Sequence, residues 1–344
     1  MLYAPIDTVS SNSEAEDLPW IGPELRPDMR AKSYIQDGHV YGLGAHNPKG
    51  HAACIIEAAR ILKTMDHGLA GDIYFGFGAG GMPTHSRSNL PSGTGHGVGC
   101  AHILSQIPKP DAAIIAKSGS AVTWEEVGFI WMEVDIEGLH TYVGSIHLLP
   151  YKSAISNAAK LILKLENWFE ERAKRLATDT VEPQGVVSFI QSGWERMPAF
   201  TPAMTRILID LRFGPEMTGR QAEAEFRAAL TQFSDALDLK TKCRNIQTIE
   251  ASRTDVQSEI IQTTISAWEA VKQQPHQPFT VMSGATDGNI IRQHGIPTAR
   301  MGLPKAQIPN LDFQLGMNCA AISDLRALTA MLVHSTLTYC GAKA

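Results

Sequence analysis

Three observations predict an α/β chain interrupted by a smaller α+β segment. Short continuous apolar runs at 73–77 and 111–115 stand among helical stretches, as buried strands of a helix-covered sheet do. At 128–137 the pattern changes to alternation, G-F-I-W-M-E-V-D-I-E, as in a half-exposed antiparallel strand. After 258 the chain returns to an α/β pattern: a helix, the turn S-G-A-T-D-G-N at 283–289, then G-I-P-T-A-R-M-G at 295–302 and a final helix.

Each element follows from local pattern. Residues 1–9 read as a strand, and 10–37, polar and rich in Pro and Asp, as loop. Helical spacing of apolar residues over 50–65, after a Pro-Lys-Gly turn, predicts a helix. Residues 78–99 are almost all turn chemistry, a long loop of the functional or mobile kind. Within the insert, 153–176 is a long amphipathic helix, 185–191 and 205–213 are strands, and 219–234 is a helix. Helices at 258–271 and from 324 complete the α/β part.

Composition narrows the function. With 44% apolar and 19% charged residues the chain is globular. A net charge of −5 excludes nucleic acid as the main partner. No apolar stretch is long enough to span a membrane, and the start, M-L-Y-A-P, lacks a signal-peptide pattern. Five scattered cysteines without C-x-x-C spacing fit reduced thiols in the cytoplasm rather than disulfides or a thiolate zinc site.

Several segments resemble, in order, one family: A-P-I-D-T-V at 4–9, D-G-H-V-Y-G-L-G-A-H-N-P-K-G at 37–50, G-D-I-Y-F-G-F at 71–77 and D-A-A-I-I-A-K at 111–117. V-D-I-E-G at 134–138, I-D-L-R-F-G-P at 209–215 and S-G-A-T-D-G-N-I-I-R-Q-H-G-I-P-T at 283–298 continue the match. The resemblance is to the di-zinc amidohydrolases and exopeptidases that include acetylornithine deacetylase, succinyl-diaminopimelate desuccinylase and carboxypeptidase G. It implies a zinc-exopeptidase-like three-layer α/β domain over 1–126 and 242–344, and an inserted α+β lid or dimerisation domain over 127–241. The family's first strand and helix have no counterpart, so either the α/β domain is N-terminally short or its start lies upstream. The resemblance also implies a homodimer joined through the insert.

In that family two zinc ions share a carboxylate and an activated water, and a Glu takes the water's proton. The aligned positions here differ. The first ligand His is Pro5, although Asp7, two residues on, is kept. The bridging Asp is Asn47, whose neutral carbonyl cannot bridge two dications. The general-base and ligand Glu positions fall in G-A-G-G at 78–81, the next carboxylate ligand falls at Lys117, and no His follows between 302 and 324. The expectation is a lost di-zinc site and no required cofactor, with a single divalent metal left open.

The polar residues in the vacated cleft are the candidates to replace it. His46, His85, Lys117 and His147 are the expected catalytic groups, by acid–base chemistry or by Lys117 activating a serine hydroxyl in Lys117-Ser118-Gly119-Ser120. His147 comes from the insert segment that in the family swings a His into the partner's site, although the family His aligns nearer Tyr142. Asn47, Arg212, Gly284, Thr286 and Asp287 are the expected substrate-binding residues. Arg212 matches the family's insert Arg and would hold a substrate carboxylate, unless Asp210 takes it up as an ion pair. The turn at 284–287 matches the family's anion-receiving turn, or serves simply as a turn needing positive φ at Gly284. The expected function is hydrolysis of a C–N bond in an N-acyl or ureido small molecule carrying a carboxylate. The alternative is a catalytically inactive binding or regulatory subunit.

Overall fold

The structure, a computed structural model, describes residues 1–65, 68–84, 95 and 97–341. They fall into two compact units, Met1–Trp124 with Arg253–Phe279 and Thr286–Ala344, and Glu125–Ser252 with Thr280–Ala285.

The first unit is built on four parallel strands in the order Thr298–Met301, Ala113–Ala116, Leu2–Pro5, Phe75–Gly78. The first three are buried at every position, which is why Ala113–Ala116 reads as an apolar run without alternation. Successive side chains serve opposite faces. Leu2, Ala4, Ile114 and Ala116 join Ile55 and Leu62 of the Lys49–Thr64 helix, Trp268 of Glu259–Lys272 and Leu332 of Ile322–Cys340. Tyr3, Ala113 and Ile115 face the other way, onto Cys100 and Leu104 of Val98–Gln106 and Ile291 of Gly288–Gln293. Helices on both faces give the three-layer α/β arrangement expected from the sequence.

The 10–37 expectation needs correcting. It contains a helix, Glu14–Ile21, a 3-10 turn, Pro27–Met29, and a strand, Tyr34–Gln36. The helix buries only Asp17, so it carries no apolar stripe for periodicity to detect. Asp17 holds the helix start instead, accepting from the N–H groups of Ser11 and Ser13 at 3.0 and 3.2 Å. Tyr34–Gln36 pairs with His39–Tyr41 across Asp37-Gly38, both at positive φ, as a two-residue hairpin turn requires. The first strand is also shorter than expected, ending at Pro5.

The second unit is a four-stranded antiparallel sheet in the order Thr241–Ile249, Gly128–Glu137, Met204–Phe213, Gly185–Ser192. Ile130, Met132, Val134 and Ile136 pack with Ile207, Ile209 and Leu211 under the helices Ala154–Leu176 and Gly219–Ala236. Ser153 caps the first of these helices by accepting from Ser156 N. Thr218 and Gln221 form a reciprocal capping box on the second. Among the described residues no helix is long and apolar enough to cross a membrane.

Candidate active site

In an open α/β sheet the chain leaves the carboxyl ends of the strands through loops, and ligands bind there. In the first unit these ends lead into Lys117-Ser118-Gly119, Gly302-Leu303-Pro304 and Asp7, and His46 and Asn47 lie just before the Lys49–Thr64 helix. Main-chain bonds lock two of these ends together. Lys117 N donates to Met301 O at 3.3 Å, Gly119 N to Leu303 O and Gly302 N to Gly119 O, both at 3.1 Å. Only glycine fits at 302: a Cβ there would overlap the Lys117 carbonyl and sit 2.8 Å from His51 Nε2.

His46 is buried, with Nε2 2.9 Å from the Pro304 carbonyl oxygen. A carbonyl only accepts, so Nε2 carries the proton and Nδ1 of the neutral ring presents a lone pair. Ser118 Oγ lies 3.5 Å from that Nδ1. His51 is fully buried and its Nε2 accepts from Leu303 N at 3.1 Å, which puts its proton on Nδ1. The two imidazoles meet edge to face, centroids 5.4 Å apart. Burial pushes the pKa of His46 down, opposed in part by the Pro304 and Leu303 carbonyls. His51 is pushed well below the usual imidazole range by burial, then by His46, Lys117 and Arg300.

Lys117 is buried at the end of Ala113–Ala116, and Arg300, from Thr298–Met301, donates to the Ser118 carbonyl oxygen. Asn47 is buried too. Its Nδ2 points to Met317 Sδ at 3.5 Å, and its Oδ1 accepts no hydrogen bond among the described residues. The structure therefore brings His46, Asn47 and Lys117 to the carboxyl end of the sheet, and adds His51, Ser118 and Arg300. Arg300 is invisible to sequence reasoning because a lone charge in the short stretch T-A-R-M carries no pattern of its own.

The carboxylates nearby in the chain are otherwise engaged. Asp7 accepts from the main-chain N–H groups of Gly81 and Met82 at 2.9 and 2.8 Å, pinning the turn after Phe75–Gly78. Asp287 is buried and accepts from Tyr3 Oη at 2.5 Å. Burial and then the Asp287 charge push the Tyr3 phenol far upward. Thr286 Oγ1 accepts from Gly288 N, a local turn bond. Cys54 and Cys100 are buried, and burial pushes the Cys54 thiol up to about 11 and raises Cys100 as well.

Other expected residues lie elsewhere. His85 falls outside the described residues. His147, Arg212 and Gly284 belong to the second unit. His147 is exposed, following the 3-10 turn Val143–Ser145. Arg212 is held by Asp210 through two hydrogen bonds at 2.6 and 2.7 Å and lies over the Phe129 ring. Gly284 is exposed and is not among the glycines at positive φ, so the strained-turn expectation for it does not hold. Among the described residues no group of three or more His, Cys, Asp or Glu is placed to hold a metal ion.

Solved structures share this fold. The Saccharomyces cerevisiae di-peptidase Dug1p is 12% identical with a TM-score of 0.71, over 98% of this chain and 79% of that one. A metallo-carboxypeptidase from Sulfolobus solfataricus is 12% identical with a TM-score of 0.66, over 98% and 84%. Human carnosine dipeptidase 1 is 12% identical with a TM-score of 0.65, over 97% and 80%. At such identities the likeness carries the fold alone. The family model covers far more than half the sequence: residues 1–334 match peptidase family M20/M25/M40, and the chain belongs to that family.

Proposed function

We propose that this M20-lineage chain hydrolyses a C–N bond in an N-acyl or ureido small molecule bearing a carboxylate, at a centre rebuilt without paired zinc. The observation that carries the reading is the composition of the strand-end cluster: His46, His51, Lys117 and Arg300 come together with Asn47 at the aligned bridging position. These donors do not fit two dications. A buried ammonium repels them, His51 spends its one lone pair on Leu303 N, and an amide cannot bridge them as a carboxylate does. They do fit a reaction that develops negative charge on oxygen, because fixed cations and donors in a water-poor site stabilise it. They also favour a carboxylate-bearing substrate.

The domain roles belong to the same proposal: the α/β part carries the chemistry, and the insert acts as lid and dimerisation domain. Gly185–Ser192 supports the second role, since it ends the sheet order, pairs with one neighbour only among the described strands, and exposes Val186, Phe189 and Ile190. Light scattering then gives a dimer mass; a monomer refutes that part.

The test is a panel of N-acyl amino acids, ureido acids and dipeptides, assayed before and after exhaustive chelation. Turnover that survives chelation supports the reading. Turnover of none of them refutes it in favour of a non-catalytic subunit.

A further inference from the structure

We propose that Ser118 is the catalytic nucleophile and His46 its general base, a serine centre standing at the strand ends; this deepens the function proposed above and rests on it. Ser118 is partly exposed, unlike the buried Cys54, Cys100 and Cys319 of the same unit, and its Oγ faces the unprotonated Nδ1 of His46 at 3.5 Å. Nucleophile–base pairs are commonly this loose before substrate tightens them. The Pro304 carbonyl plays the part of the third group, fixing both the ring and its tautomer through Nε2. Ser118 stands on a braced backbone: Lys117 N and Gly119 N bond across to Met301 O and Leu303 O, and Arg300 grips the Ser118 carbonyl. Such rigidity keeps a reacting pair in register.

The step balances without any co-reactant beyond water. Ser118 Oγ forms a bond to the substrate carbonyl carbon while its proton passes to His46 Nδ1. The Lys117 and Arg300 charges stabilise the oxyanion, and the C–N bond breaks as His46 returns the proton to the leaving nitrogen. Water, deprotonated by His46, then attacks the acyl-serine carbon. The acid leaves, and the proton returns to Ser118 Oγ.

A fluorophosphonate probe reports on the pair without knowledge of the substrate, because Ser118 Oγ would form a bond to phosphorus as fluoride leaves. The expected result is a single adduct on Ser118 in the folded full chain, absent in Ser118→Ala, slowed at least 100-fold in His46→Gln, and unchanged in the control Ser120→Ala. Absence of an adduct on Ser118 in folded protein overturns the proposal, and so does amide turnover that persists in Ser118→Ala while the broader reading stands. An adduct on Ser118 with no amide turnover in the panel separates the two the other way: the nucleophile holds and the C–N reading fails.

Discussion

Two charged regions, one in each unit, have opposite designs. On the insert's open sheet face every basic group named has an acid opposite it. Arg244 holds Glu133 at 2.7 Å, Arg206 holds Asp135 at 2.9 Å, and Arg212 holds Asp210, which also accepts from Trp131 Nε1. These are cross-strand or same-strand pairs on a half-exposed face, and they account for the alternation in the sequence. At the strand ends of the first unit, burial and then the neighbouring His46, Lys117 and Arg300 depress His51, while His46 also feels the Asp324 carboxylate. Matched charge on a face is what a structural ladder needs. Concentrated positive charge in a buried place costs stability and is kept where developing negative charge must be met.

Lys117→Met should separate the two designs most sharply. Removing one of the two charges proposed to stabilise the oxyanion should lower kcat/KM by about 100- to 1000-fold, read in steady-state assays, with the fold kept by circular dichroism. Next in size is Gly302→Ala, which would press a methyl group onto the Lys117 carbonyl and His51. It should cost about 1–3 kcal/mol in denaturant unfolding and lower turnover as well.

Acid should find the first unit before the second. The folded-state pKa values of His46 and His51 lie below the unfolded value of about 6.5, so the unfolded chain binds more protons as pH falls. The stability they contribute is therefore present above about pH 6.5 and lost on acidification. At pH 5.5 the loss approaches about 1.4 kcal/mol for each histidine held neutral. Urea melts at pH 8 and 5.5 should show it, and His51→Gln should flatten the slope. The smallest effect belongs to the sheet face: Arg244→Ala should change stability by less than about 1 kcal/mol and leave turnover unchanged.

Where period and burial coincide, the sequence was easy to read. The 128–137 strand shows its bounds because one face is core and the other polar, and the Ala154–Leu176 helix shows its apolar stripe for the same reason. The Glu14–Ile21 helix, almost wholly exposed, left no such trace. In the site, Lys117 and His46 could be picked out as polar residues beside a strand end and a helix start. What they touch could not: Ser118 and His46 are 72 residues apart, and Arg300 and the Pro304 carbonyl reach them from the far end of the chain. Arg212 shows the converse, since a motif match named the residue while its partner two positions away took up its donors.

The most direct test of a rebuilt centre is to count zinc and measure turnover on the same purified, chelator-treated sample. The account predicts hydrolysis of a carboxylate-bearing amide or ureide at full rate with far less than one equivalent of zinc bound. Two equivalents of zinc in the active protein, with activity lost on their removal and regained on their return, would contradict it.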